Sequence, residues 1–79
     1  FFDLTDEEEK AFILMLKETK NVMKSEDSTI TGFNVGINDG IDAGHTVMHC
    51  HIHLIPRRNG DMENPRGGIR GIIPEKQSY

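Results

Sequence analysis

Along the first third of the chain, apolar residues recur at the spacing of a helix. In LTDEEEKAFILMLKETKNVMK, Phe12, Met15, Leu16, Thr19, Val22 and Met23 fall on one face, and Lys10, Lys17, Lys20 and Lys24 lie mostly off it. Thr5 followed three residues on by Glu8 reads as a capping box, and Asp6 to Glu9 put negative charge at the positive end of the helix dipole. The acidic run is therefore a solvated helix start. The polar stretch SEDST is expected to end the helix.

The period then drops to two. TGFNVGIN sends Phe33, Val35 and Ile37 to one side and Asn34, Gly36 and Asn38 to the other, as a half-buried strand does. DGIDAG predicts a turn or short loop. TVMHCHIHLIP predicts a second strand that Pro56 stops. On it Met48, Cys50, Ile52 and Leu54 face a core, and His49, His51 and His53 face the other way. So short a connection favours antiparallel neighbours over a parallel crossover carrying its own helix. The remainder, RRNGDMENPRGGIRGIIPEKQSY, reads as an extended tail docked through Ile69, Ile72 and Ile73. Together these elements predict one α+β domain over residues 1–79, an antiparallel sheet with one long helix packed on it.

Length and charge narrow the picture. A chain of 79 residues has a thin core, since it buries only about 60–65% of its unfolded surface. It opens on Phe1–Phe2 rather than a methionine, which reads as the tail of a preceding strand or loop. The expectation is an N-terminally truncated fragment that lacks the first strands of its domain. A net charge of −4 argues against nucleic acid as the primary partner. Residues 1–42 hold ten acids and four bases, and residues 43–79 five bases and three acids, so a polyanion is tolerated in the histidine half. One cysteine makes no internal disulfide, which points to a reducing, cytoplasmic setting. No apolar run is long enough for a membrane span.

All four histidines fall between residues 45 and 53. Same-face neighbours on a strand are about 6.6 Å apart, so His49 and His53 would be separated by about 13 Å. Zinc–nitrogen bonds of about 2.0–2.1 Å do not bridge that span, and Cys50 alternates away. A metal site would need two of the three histidines and a ligand from elsewhere. Histidine as nucleophile is the other reading: one imidazole attacks phosphorus while its neighbours orient it and meet the phosphate oxygens.

GFNVGINDGIDAGHTVMHCHIHLIPR resembles the histidine-triad (HIT) family of nucleotide hydrolases and transferases, whose signature alternates three histidines with apolar residues. His49-Cys50-His51-Ile52-His53-Leu54-Ile55 fits it, and NPRGGIRGIIPEK is similar to an extension in bacterial members. The resemblance implies His51 as the nucleophile that forms a nucleotidyl-histidine intermediate, with His49 and His53 as its orienting and phosphate-contacting partners. It also implies phosphate binding at Asn38, Gly44, His45 and Thr46. His45 stands where the family usually has glutamine, so leaving-group preference is expected to shift. The implied substrates are dinucleoside polyphosphates or nucleoside phosphoramidates, the implied assembly is a homodimer, and no cofactor or resident metal is implied. The competing expectations are a histidine-ligated metalloprotein and a non-catalytic nucleotide-binding remnant.

Overall fold

A computed structural model describes residues 1–45 and 50–78; Thr46, Val47, Met48, His49 and Tyr79 lie outside the described residues. Helix α1 runs Asp6–Glu26. Its capping box is formed in both directions: the Glu8 amide donates to Thr5 Oγ1 at 3.2 Å, and the Thr5 amide donates to Glu8 Oε1 at 2.9 Å. These bonds hold the Glu8 carboxyl below its ordinary pKa. At the other end the Asp27 amide donates to Met23 O at 3.0 Å. Asp27 Oδ1 then accepts from the Thr29 amide at 2.9 Å, turning the chain directly into the first strand.

The strands β1, Ile30–Ile37, and β2, Ile52–Arg58, form an antiparallel pair. Phe33 faces Pro56, Val35 faces Leu54, Gly36 faces His53 and Ile37 faces Ile52. A bulge between Ile30 and Gly32 inserts one extra residue on β1 and shifts the register there. Two boundaries differ from expectation. Cys50 and His51 precede the second strand instead of lying in it, and Pro56 lies within the strand instead of stopping it. Proline is tolerated because β2 is an edge strand among the described residues. Having no N–H, it makes Phe33–Pro56 a non-hydrogen-bonded pair. Alternation along the ladder then makes Asn34–Ile55 and Gly36–His53 the hydrogen-bonded ones.

The helix meets the sheet through β2. Phe12, Met15, Leu16 and Thr19 face Ile52 and Leu54 around an apolar hollow of about 140 Å³. The core is as thin as the length implies: among the described residues Ile30 alone is buried, at 4% exposure. Val22, on the expected apolar face, stays exposed, and so do Ile13 and Leu14 on the far side. No helix among the described residues is long and apolar enough to cross a membrane.

The tail is not extended. It folds into two short 3-10 turns, Gly68–Ile72 and Pro74–Lys76, because its hydrogen bonds are local. Gln77 Nε2 donates to the carbonyls of Asn64, at 3.0 Å, and Arg66, at 3.2 Å. Arg70 Nε donates to Lys76 O at 2.9 Å. Gly67, at φ 90, lets the chain double back so closely that a Cβ there would meet the Gln77 carbonyl. Of the three isoleucines expected to dock, Ile69 does so. Its Cδ1 lies 3.7 Å from where a Cβ on Gly36 would stand, although the side chain stays partly open to solvent, and Ile72 and Ile73 are more exposed still.

Two arginines secure the end of β2. Arg57 donates from Nη1 to Asn34 Oδ1 at 2.6 Å, and from Nε and Nη2 to the two Asp61 oxygens, each at 2.9 Å. Arg58 donates from Nη2 to Asp27 Oδ2 at 2.7 Å, tying the strand end to the helix exit. The Asp61 carboxyl is lowered to about 2 by the Arg57 hydrogen bonds and the Arg58 amide. The Asp27 carboxyl is lowered to about 2 by Thr29 first and Arg58 second.

Candidate functional site

Two segments carry the candidate residues, the start of β2 and the loop that follows β1. On β2 the faces separate by chemistry. Ile52 and Leu54 point towards α1, and His53 and Ile55 lie on the opposite face. The cross-strand neighbour of His53 is Gly36, so its backbone is clamped by the bonded pair while no side chain crowds the imidazole from β1. His51 is exposed and lies immediately before the strand. His49 is outside the described residues, so the described part of the triad comprises His51 and His53. Cys50 is half-buried. The expected core position, reached by strand alternation, is met only in part, because Cys50 lies on the approach to the strand and not in it.

The loop after β1 closes on itself. Ile41–Ala43 forms a 3-10 turn, and Gly44 adopts φ 86, a left-handed conformation that favours glycine. A Cβ at Gly44 would lie 3.8 Å from Asn38 Nδ2, so Gly44 and Asn38 are brought together. Asn38 itself is exposed. The amide of His45 donates to Gly40 O at 3.0 Å, and the Gly40 amide donates back to His45 Nδ1 at 3.3 Å. An Nδ1 that accepts this bond is unprotonated, so the neutral ring carries its proton on Nε2. His45 Nε2 is buried and has no hydrogen-bond partner among the described residues. An unsatisfied buried donor costs about 1–3 kcal/mol, which an acceptor oxygen would remove. Thr46, the remaining candidate, is outside the described residues.

Asn38, Gly44 and His45 thus form one unit after β1, and His53 shares the lining of a surface hollow with Asn38. No group of three His, Cys, Asp or Glu suited to a metal ion occurs among the described residues. The sequence reading overlooked that the tail lies over the histidine face, where Ile69 and Ile72 flank His53. The available signal was the pair of small residues at Gly36 and Gly68: Ile69 closes on the first, and Asn34 lies 3.5 Å from a Cβ position on the second.

Comparisons with known proteins converge on one group. A HIT domain family model matches residues 1–60. A bis(5'-nucleosyl)-tetraphosphatase [asymmetrical] of Schizosaccharomyces pombe is 39% identical over 59 residues, covering 75% of this chain and 32% of that protein. A bis(5'-adenosyl)-triphosphatase of Dictyostelium discoideum is 42% identical over 62 residues, covering 78% of this chain and 41% of that protein. An AP-4-A phosphorylase of Mycobacterium tuberculosis is 40% identical over 60 residues, covering 75% and 30% respectively. The chain spans less than half the length of each of these relatives. No solved structure matches it. With a family model over most of its length, and with the alternating histidines, the glycine-turned loop and the helix-on-hairpin arrangement in the matched region, the chain belongs to the HIT domain family.

Proposed function

We propose that the chain carries the reacting histidines of an enzyme that hydrolyses or transfers at the α-phosphorus of nucleotide conjugates, with dinucleoside polyphosphates foremost and nucleoside phosphoramidates second. The supporting observation is the placement of His53 beside Asn38, on the face of β2 away from α1, with the exposed His51 two residues before it in the chain. The names of the relatives support the substrate class.

In the proposed step a neutral imidazole nitrogen of His51 donates its lone pair to the α-phosphorus. A nitrogen–phosphorus bond forms, and the bond from phosphorus to the bridging oxygen breaks, its electrons leaving with the departing phosphate. Asn38 and the loop at Gly44 to Thr46 surround the phosphate oxygens, and the His45 Nε2–H donates to one of them. In the second step an oxygen acceptor bonds to phosphorus and the nitrogen–phosphorus bond breaks, returning the imidazole. Water as acceptor gives the nucleotide and releases a proton, whereas phosphate as acceptor gives a nucleoside diphosphate. Association as a homodimer in the cytoplasm belongs to the same reading.

The test is a rapid-quench experiment with diadenosine tetraphosphate labelled at the α-phosphate. The expected result is transient acid-labile label on the protein, absent in His51→Asn, whose turnover falls by on the order of a thousandfold or more. Activity should survive exhaustive chelation when assayed without added metal. Absence of label, or activity that dies with chelator and returns with zinc, overturns the assignment.

A further inference from the structure

The hollow over the histidine face extends past Asn38 and His53, the two of its side chains that belong to the candidate site. It measures about 510 Å³, and its floor and walls include Gly36, Asn38, His53, Ile55, Ile69 and Ile72. That volume falls in the range of about 300–1,000 Å³ usual for small-molecule sites, and so does the pattern of apolar walls with a few polar groups. Ile55, Ile69 and Ile72 are 49%, 46% and 77% exposed, so their apolar surface is open to an occupant. No charged side chain lines it, so beyond Asn38 and His53 its walls are apolar or glycine.

Position decides which part of a substrate it suits. The hollow begins at His53 and continues along β2 to Ile55, with the tail as its far wall. Ile55 lies four residues beyond His51, a distance of about 13 Å along an extended chain. A base joined to the reacting phosphorus through a polyphosphate and a second ribose reaches that far; the transferred base, one phosphate and one ribose away, stays nearer. We propose that this hollow is a subsite for the nucleobase on the leaving side of the substrate, a neutral planar ring held between Ile55 and the isoleucines of the tail. The inference rests on the reading of the chain as a nucleotide-conjugate enzyme and adds a determinant of its specificity.

The experiment compares diadenosine tetraphosphate with adenosine 5'-tetraphosphate, which presents the same α-phosphorus and polyphosphate but no second base. The wild-type chain should favour the dinucleotide in kcat/KM by at least about tenfold, the scale of an apolar contact in a pocket. Ile72→Asp, at an exposed position, should bring that ratio close to one. Equal rates for the two compounds in wild type, or a ratio that Ile72→Asp leaves unchanged, overturn the subsite while leaving the proposed reaction standing. If wild type turns over neither compound, the proposed reaction falls and the subsite is judged by binding alone. Isoleucine methyl spectra of the full chain titrated with adenosine should then show saturable ring-current shifts at Ile55, Ile69 and Ile72. Shifts that are absent, or that follow protein concentration without adenosine and so report a second copy in the hollow, overturn it.

Discussion

Gly67→Ala should unlatch the tail. Two separate penalties act at this residue. Its φ of 90 is left-handed, and a Cβ there costs about 1–2 kcal/mol. The new Cβ would also meet the Gln77 carbonyl oxygen and stand 3.0 Å from the Gln77 carbonyl carbon, both backbone atoms that move only with the whole turn. Relief requires Gln77 to withdraw, breaking its bonds to the Asn64 and Arg66 carbonyls. At about 0.5–1.5 kcal/mol net for each bond, the latch weakens by about 2–5 kcal/mol in all, and the loss is bounded there because the tail can open without the sheet. Gly60→Ala is the control: its φ of 81 carries the same strain, and nothing lies within 4 Å of its Cβ. Amide hydrogen exchange reads the difference. Gly67→Ala should deprotect Arg70, Lys76 and Gln77 by more than tenfold relative to Gly60→Ala, with β1 amides little changed. Equal protection at these three amides in the two variants would refute the latch.

Thr5→Ala removes one arm of the capping box and should cost about 1 kcal/mol, read as a lower midpoint in thermal unfolding followed by far-ultraviolet circular dichroism. Acid should act through Asp27 and Asp61, whose carboxyls are lowered to about 2 in the fold against about 3.9 when unfolded. A depressed folded value means their stabilisation is complete above about pH 4 and is lost as pH falls towards 2. Denaturant midpoints measured across that window should decline, and less steeply in Arg58→Ala. Light scattering at micromolar concentration should give twice the monomer mass, and a stable monomer would count against the dimer.

The helix was legible because its signals are local and redundant: the Thr5–Glu8 capping box and the apolar period through Phe12, Leu16 and Met23 agree with one another. The sheet was legible where apolar and polar residues alternate, from Phe33 to Ile37 and again from Ile52 to Ile55. The β2 boundaries were not. Alternation carried the reading back through the histidines, although the ladder begins only where Ile37 finds Ile52. Pro56 looked like a stop because its tolerance depends on which way its nitrogen faces, and only the pairing decides that. The tail resisted because its turns come from Gln77 reaching back to Asn64 and Arg66, contacts with no periodic trace in the chain. At the site, the alternating histidines pointed to the HIT family, and a family model over residues 1–60 agrees. The tautomer of His45 was hidden, because the amide that sets it belongs to Gly40 and arrives by loop closure.

Pro56 also gives the hairpin a direction in which a sheet can grow. Its ring nitrogen faces away from β1, so the outer margin of β2 offers amides at Ile52 and Leu54 and then a gap. A strand from another molecule that templated on this margin would lose a rung there and meet the rigid ring instead. The outer margin of β1 carries no proline, and beyond the bulge at Ile30–Gly32 it runs without interruption to Ile37. Recruitment of further strands, whether in orderly assembly or in aggregation, is therefore steered to the β1 side, and the flank that bears the histidines is kept from being zipped shut.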